Sequence, residues 1–196
     1  MAAKQKEKPE PQLDSDGIVI IEYQQTVLVI VPPDNFGEMG VCQARSILQS
    51  VRVGTVVASS RYDEVLKGRL QDFYLADESL DQIDCTKYAG VLISSGDGNE
   101  LASDERVLKI VREMAAAKKL VASIGNGLEV LVRAGVVKGK RVSGDVSLES
   151  AAKKAGAKFT GRQVEISGNV VTALNESAGI RFGRGLIDVV TAAMAD

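Results

Sequence analysis

The run Leu120-Val121-Ala122-Ser123-Ile124 ends in Gly125-Asn126-Gly127, and a helical pattern from Leu128 to Gly135 starts at once. An apolar, partly β-branched run followed by a turn of small residues and then a helix is a strand–turn–helix elbow. Many α/β hydrolytic enzymes hold a nucleophile on such a tight turn, above a helix N-terminus. Here the turn carries no Cys, Ser or His. The 196-residue chain contains no histidine at all. Within one chain this removes Ser–His and Cys–His mechanisms and every His-ligated metal site. The elbow is present without its usual chemistry.

The segments around it repeat one theme. Thr26–Val31 and Tyr88–Ile93 are uninterrupted apolar runs, as expected of strands buried on both faces of a parallel sheet, and Val53–Ala58 is a further strand. Helical spacing appears at Val41, Ala44, Ile47, Leu48 and Val51, and again at Val107, Leu108, Val111 and Met114, with Asp104 as cap. A β-excursion is expected between Arg61 and Ala76, with Gly68 in its turn and Phe73-Tyr74-Leu75 returning. After the elbow come a strand at Arg141–Ser143, a helix at Leu148–Ala155 and strands at Lys158–Thr160, Val164–Ile166 and Val170–Leu174. A closing helix runs from Glu176 to Met194. Gly17–Tyr23 has the character of an added edge strand. Alternating strands and helices predict an α/β fold: a doubly wound, mostly parallel, flavodoxin-like sheet flanked by helices. Ligands in such folds bind beyond the carboxyl ends of the strands. Three loops therefore converge on one crevice: Pro33–Gly40, Ser94–Asn99 and Gly125–Gly127.

Residues 1–16 are rich in Lys, Glu and Pro and read as a disordered polar tail, leaving 17–196 as a single domain. The opening stretch has no apolar segment of a secretory leader, and no run approaches the length of a membrane span. With a net charge of −2, nucleic acid and anionic membranes are not expected partners. Two cysteines, Cys42 and Cys85, form no CxxC and read as reduced thiols of a cytoplasmic protein.

From Val121 to Gly127, through Ala134-Gly135-Val136-Val137 and Lys138-Gly139-Lys140, the sequence resembles the ThiJ/PfpI superfamily, which is class I glutamine amidotransferase-like. Leu75–Leu80, Ala155-Gly156-Ala157 and Ser167–Thr172 extend the resemblance over most of the chain. It implies a Cys-based active site, with a His beside the Cys and a Glu at the start of the first helix. Laid on this sequence, those positions are Gly125, Asn126 and Gly40; Gly127 is kept. The family's Pro-Gly-Gly loop falls on Ser94-Ser95-Gly96. The thiolate is the reactive species of that chemistry, and glycine cannot supply one.

Substitutes are few. Cys42 reads as a core residue of the first helix, and Cys85 lies at the wrong end of the sheet. Ser95 stands in the crevice with no evident base. Glu38 reads as a favourable charge in a first helical turn, Asp97 and Asn99 as turn residues, and Lys118-Lys119 as the last turn of a helix. The sequence thus points to a catalytically degenerate member that acts through binding or assembly. Its candidate binding residues are Glu38, Gly40, Ser95, Gly96, Gly125, Asn126 and Gly127. The expected ligand is a small anion or carboxylate on the elbow N–H groups, with no cofactor and no metal. The alternatives are a family hydrolase or glyoxalase-like lyase using Glu38, Ser95 or Asp97, and a structural or chaperone-like protein. The resemblance also implies a homodimer.

Overall fold

The computed structural model describes residues 12–13, 19–20, 22–71, 73–96 and 98–192. Strands β1 (Gln12–Leu13) and β2 (Val19–Ile20) pair antiparallel with each other. The edge strand expected at Gly17–Tyr23 is therefore a two-residue ladder outside the central sheet, because Val19–Ile20 spends its hydrogen bonds on Gln12–Leu13. Apart from Gln12–Leu13, the 1–16 tail lies outside the described residues, as does Asp97.

The chain then enters β3 (Gln25–Ile30), a short β4 (Asp34–Phe36), α1 (Glu38–Ser50) and β5 (Val53–Ser59). The excursion follows as β6 (Leu66–Gly68) and β7 (Phe73–Tyr74), an antiparallel pair whose β6 also runs parallel to β4. Gly68 ends β6, and the turn itself begins at Arg69. Next come β8 (Glu78–Ser79), β9 (Gly90–Ile93), α2 (Gly98–Ser103) and α3 (Glu105–Ala116). Part of the expected polar loop Ser94–Asn99 is therefore helix. Asp104 caps α3 as expected, its carboxylate accepting from Arg106 N–H at 2.9 Å. Lys118 and Lys119 fall beyond the end of α3, where Lys118 takes a left-handed conformation (φ 57°).

Strand β10 (Leu120–Ile124) leads through a tight turn, Gly125–Gly127, into the six-residue α4 (Leu128–Arg133). The remainder is β11 (Arg141–Val142), α5 (Glu149–Lys154), β12 (Lys158–Phe159), β13 (Val164–Ser167), β14 (Val170–Ala173) and α6 (Gly179–Ala192). A single helical turn, Glu176–Ala178, precedes α6.

Seven strands form the central sheet in the order β13-β14-β10-β9-β3-β5-β8. Only β13 runs antiparallel to its neighbour. The side-chain period of two, with helices on both faces, explains why the central strands β3 and β9 are apolar on consecutive residues from Val27 to Ile30 and from Val91 to Ile93. Leu28, Ile30, Val91, Ile93 and Val121 face α3, α4 and α5 on one side. Val27, Val29, Leu92, Ala122 and Ile124 face α1 and α6 on the other. Gly183 lets α6 approach α1 closely, since a Cβ there would lie 2.7 Å from Ile47 Cδ1. From β3 the chain winds one way to β5 and β8, and the other way from β9 onward. The order reverses between β3 and β9, and this is where a doubly wound sheet opens a crevice. The doubly wound, mostly parallel fold expected from the sequence is the fold observed.

Candidate functional site

The three loops expected to converge do so, and hydrogen bonds stitch them together. Gly37 N–H donates to Ser95 O at 2.9 Å, joining the first loop to the second. Asn126 joins the second to the third: its Oδ1 accepts from Gly96 N–H at 2.9 Å while its Nδ2 donates to Gly96 O. Asn126 is thus a brace between loops. Gly96 has φ 149°, and a Cβ there would press on Pro32 and on Asn35 O. Gly127 is equally confined, because its Cβ would lie 2.5 Å from Ser94 O.

Gly125 is different. It sits at φ 59°, the left-handed region that favours glycine. A Cβ on it would meet only Ser95 Cβ, at 3.1 Å. Beyond it opens a cavity of about 380 Å³, lined by Glu38, Met39, Arg69, Leu70, Ser95, Gly125, Asn126, Asp145, Asn175, Glu176 and Ser177. Of the expected site residues, Glu38, Ser95, Gly125 and Asn126 line it. Gly96 and Gly127 form the bracing behind it.

Glu38 does more than charge a first turn. It is 2% exposed, and its two oxygens lie 2.8 and 2.7 Å from Leu70 N–H. That bond pins the tip of the β6–β7 hairpin against α1. Gly68 makes the arrangement possible, since a Cβ there would overlap the Glu38 carboxylate.

Ser95 has a partner that the sequence reading missed. Its Oγ donates to Glu176 Oε1 at 2.6 Å. The two residues stand 81 positions apart, and Glu176 reads in sequence as a helix start. Gly37 leaves the space for this pair, because a Cβ there would overlap both Ser95 Oγ and Glu176 Oε1. A Cβ on Gly40 would lie 2.6 Å from Ile124 Cδ1 and 3.3 Å from Glu176 Cγ. The position to which the resemblance assigns an acid therefore abuts an acid delivered by another element. The signal was the fold rule itself: Asn175-Glu176-Ser177 follows β14, a parallel strand, and so forms a fourth loop at the same end of the sheet.

Arg69 was also missed. Its N–H donates to Phe36 O at 3.1 Å and its Nε to Asn35 O at 3.1 Å. Its Nη1 lies 3.6 Å from Glu176 Oε1. Across the cavity, Asp145 is held below the usual carboxylate range by hydrogen bonds from Ser147, with Arg69 adding to the effect. The wall thus carries Glu38, Asp145 and Glu176 against one guanidinium, a balance opposite in sign to the expected anion site.

Neither thiol reaches the cavity. Cys42 is exposed, not in the core, because its Sγ faces outward to Tyr74 Oη at 3.0 Å. Cys85 sits before β9, at the far end of the sheet, where burial pushes its thiol up to about 11. Among the described residues no cluster of three or more Cys, Asp or Glu could hold a metal ion, and no helix is long and apolar enough to cross a membrane.

An uncharacterized protein of Methanocaldococcus jannaschii is 26% identical over 168 residues, which are 84% of this chain and 82% of that protein. A deglycase of Thermococcus kodakarensis is 30% identical over 98 residues, half of this chain and 59% of that protein. Among solved structures, a ThiJ/PfpI domain protein from Brachyspira murdochii superposes with a TM-score of 0.82 at 22% identity, covering 87% of this chain and 98% of that one. The DJ-1beta of Drosophila melanogaster gives a TM-score of 0.75 at 21% identity, over 87% of this chain and 97% of that one. The sequence profile of the DJ-1/PfpI family matches residues 25–189. With its doubly wound sheet and its elbow at Gly125, the chain belongs to the DJ-1/PfpI family.

Proposed function

We propose that this protein works by binding a small polar molecule in the elbow cavity, without thiol chemistry. One observation carries the reading: the elbow residue is Gly125, at φ 59° beside an open cavity, while both thiols lie elsewhere. A deglycase activity of the kind named for the Thermococcus relative would need a thiolate at that point. Turnover of methylglyoxal and of a small peptide amide, with and without alkylation, tests the idea. The expected result is no alkylation-sensitive turnover. Robust turnover abolished by alkylation would sink it. The same experiment reads the thiols: at pH 8 a thiol near 11 is thiolate in roughly one molecule in a thousand, so Cys42 is expected to label well before Cys85.

A second reading, a family hydrolase or lyase using non-thiol groups, is favoured by the Ser95–Glu176 bond. It ranks behind because a carboxylate alone is a weak base toward an aliphatic hydroxyl, and the chain has no imidazole to relay the proton. Replacing Ser95 with Ala separates the two readings, since only the second loses turnover of a small ester. A homodimer and a cytoplasmic setting complete the proposal; the first is carried by family membership, the second by two free thiols. Sedimentation equilibrium at a series of concentrations tests the dimer.

A further inference from the structure

The cavity wall has three carboxylates and one cation, and that cation is loosely paired with its carboxylate. Arg69 Nη1 stands 3.6 Å from Glu176 Oε1, well beyond the roughly 2.7–2.9 Å of a charge-assisted hydrogen bond. The Arg69 side chain is 49% exposed and belongs to a hairpin tip, where Leu70 is 67% exposed. Its backbone N–H and Nε are fixed on Phe36 O and Asn35 O, but neither Nη atom makes a hydrogen bond among the described residues. On the other side, Ser95 commits only Oε1 of Glu176, and Oε2 has no hydrogen-bond partner among the described residues. Glu38 is engaged by Leu70 N–H, and Asp145 Oδ1 by Ser147 N–H and Oγ. Glu176 Oε2 and Asp145 Oδ2 are therefore the oxygens left to offer, and of the two carboxylates Glu176 is the one beside Arg69.

An anion entering this cavity would have to compete with Glu176 for Arg69 under the field of two more carboxylates. A cation meets the opposite situation. It gains Glu176 Oε2 and the field of Asp145, and needs only to displace a half-exposed guanidinium that makes no hydrogen bond there. Met39 and Leu70 add an apolar rim that an alkyl stem could cover. We propose that the cavity is a site for a small organic cation, a guanidinium or primary ammonium on a short alkyl stem, and that Arg69 is the internal group this cation displaces from Glu176. The inference rests on the reading of the cavity as a ligand site.

The test is an NMR titration that follows the amides of Ile124 to Leu128, at low ionic strength. The probes are n-butylguanidinium and n-butylammonium, neutral butyramide, and butyrate with inorganic phosphate. They are applied to the wild type, Arg69→Ala and Glu176→Gln. Cations are expected to shift the amides of the wild type. Arg69→Ala should tighten them about tenfold and Glu176→Gln should weaken them about tenfold, with salt reducing both affinities. Arg69→Gln, which keeps the bonded stem, replaces Arg69→Ala if the latter unfolds. Butyrate or phosphate binding that Arg69→Ala abolishes would overturn the cation assignment while leaving the cavity a ligand site. Butyramide shifts without cation shifts would do the same. No shift with any probe in any variant would defeat the cavity reading itself.

Discussion

The two ends of the parallel sheet treat their polar groups in opposite ways. At the end where β9, β10 and β14 begin, long polar side chains close on the backbone. Lys119 Nζ donates to Cys85 O at 2.8 Å and Thr86 O at 3.1 Å, and Asn169 Nδ2 donates to Lys119 O at 2.7 Å. At the end where the strands finish, Ser95, Arg69 and Glu176 face a cavity, and the Arg69–Glu176 pair is 3.6 Å apart. Short bonds to backbone knit the chain together, whereas loose pairs around open space leave capacity for something else. The contrast teaches which polar groups serve stability and which stand available to a ligand.

Substitutions can break that comparison. The largest effect is expected where the cavity end is itself bracing. Gly127→Ala drives a methyl onto Ser94 O at 2.5 Å and Ile93 O at 2.9 Å, and should cost about 3 kcal/mol or more in urea unfolding. Gly125→Ala, two residues earlier, faces mainly its left-handed φ of 59° and should cost about 1–2 kcal/mol. Equal losses at both positions would mean that Gly125 is as confined as Gly127.

At the closed end, Asn169→Ala removes the donor to Lys119 O and should cost about 1–2 kcal/mol by the same measurement. Asp104 on the flank belongs to the closed kind, bonded to Arg106 N–H and to its guanidinium. Its replacement by Ala should cost about 1 kcal/mol as a lost cap. The hydrogen bonds from the Arg106 side chain hold the Asp104 carboxyl below its usual range. Its stabilisation is therefore complete above the unfolded pKa of about 3.9 and fades as pH falls through the lower folded value. Asp104→Asn should flatten the acid limb of the stability curve there, and an unchanged limb would remove Asp104 from that role. The smallest effect is expected at Glu176→Gln, within about 0.5 kcal/mol of the wild type. A loss of 2 kcal/mol or more would place Glu176 with the bracing groups and erase the distinction between the ends.

Much of the scaffold was legible because buried parallel strands leave a blunt signature. Val27 to Val31 and Val91 to Ile93 admit no polar residue, and the elbow at Gly125–Gly127 announces its own geometry. Short elements were harder. Gly17–Tyr23 reads as an edge strand because an apolar stretch does not reveal its pairing partner, and Gly98-Asn99, the start of α2, reads as loop because the pair resembles a turn. The site was half legible. Glu38, Ser95, Gly125 and Asn126 were found from loop positions, while Arg69, Asp145 and Glu176 were not. Each of those three makes its contact through space, from a hairpin tip, from the loop after β11 and from the loop after β14. Cys42 reads as core because a free cysteine usually behaves as a small hydrophobe, a tendency that cannot see that Tyr74 from the excursion meets it at the surface.

The glycines at 37, 40 and 68 act as moulds: each absent side chain outlines volume that a carboxylate side chain occupies or abuts. An alanine scan reads a residue by deleting its atoms, so it would treat these positions as backbone detail. The informative scan for this protein runs the other way, adding one methyl at a time. A methyl at Gly37 would evict Glu176 and Ser95 from each other, and one at Gly68 would evict Glu38, without altering a single reactive group. A lineage could therefore switch such a site off, or reshape what it accepts, while every residue with recognisable chemistry stays in place.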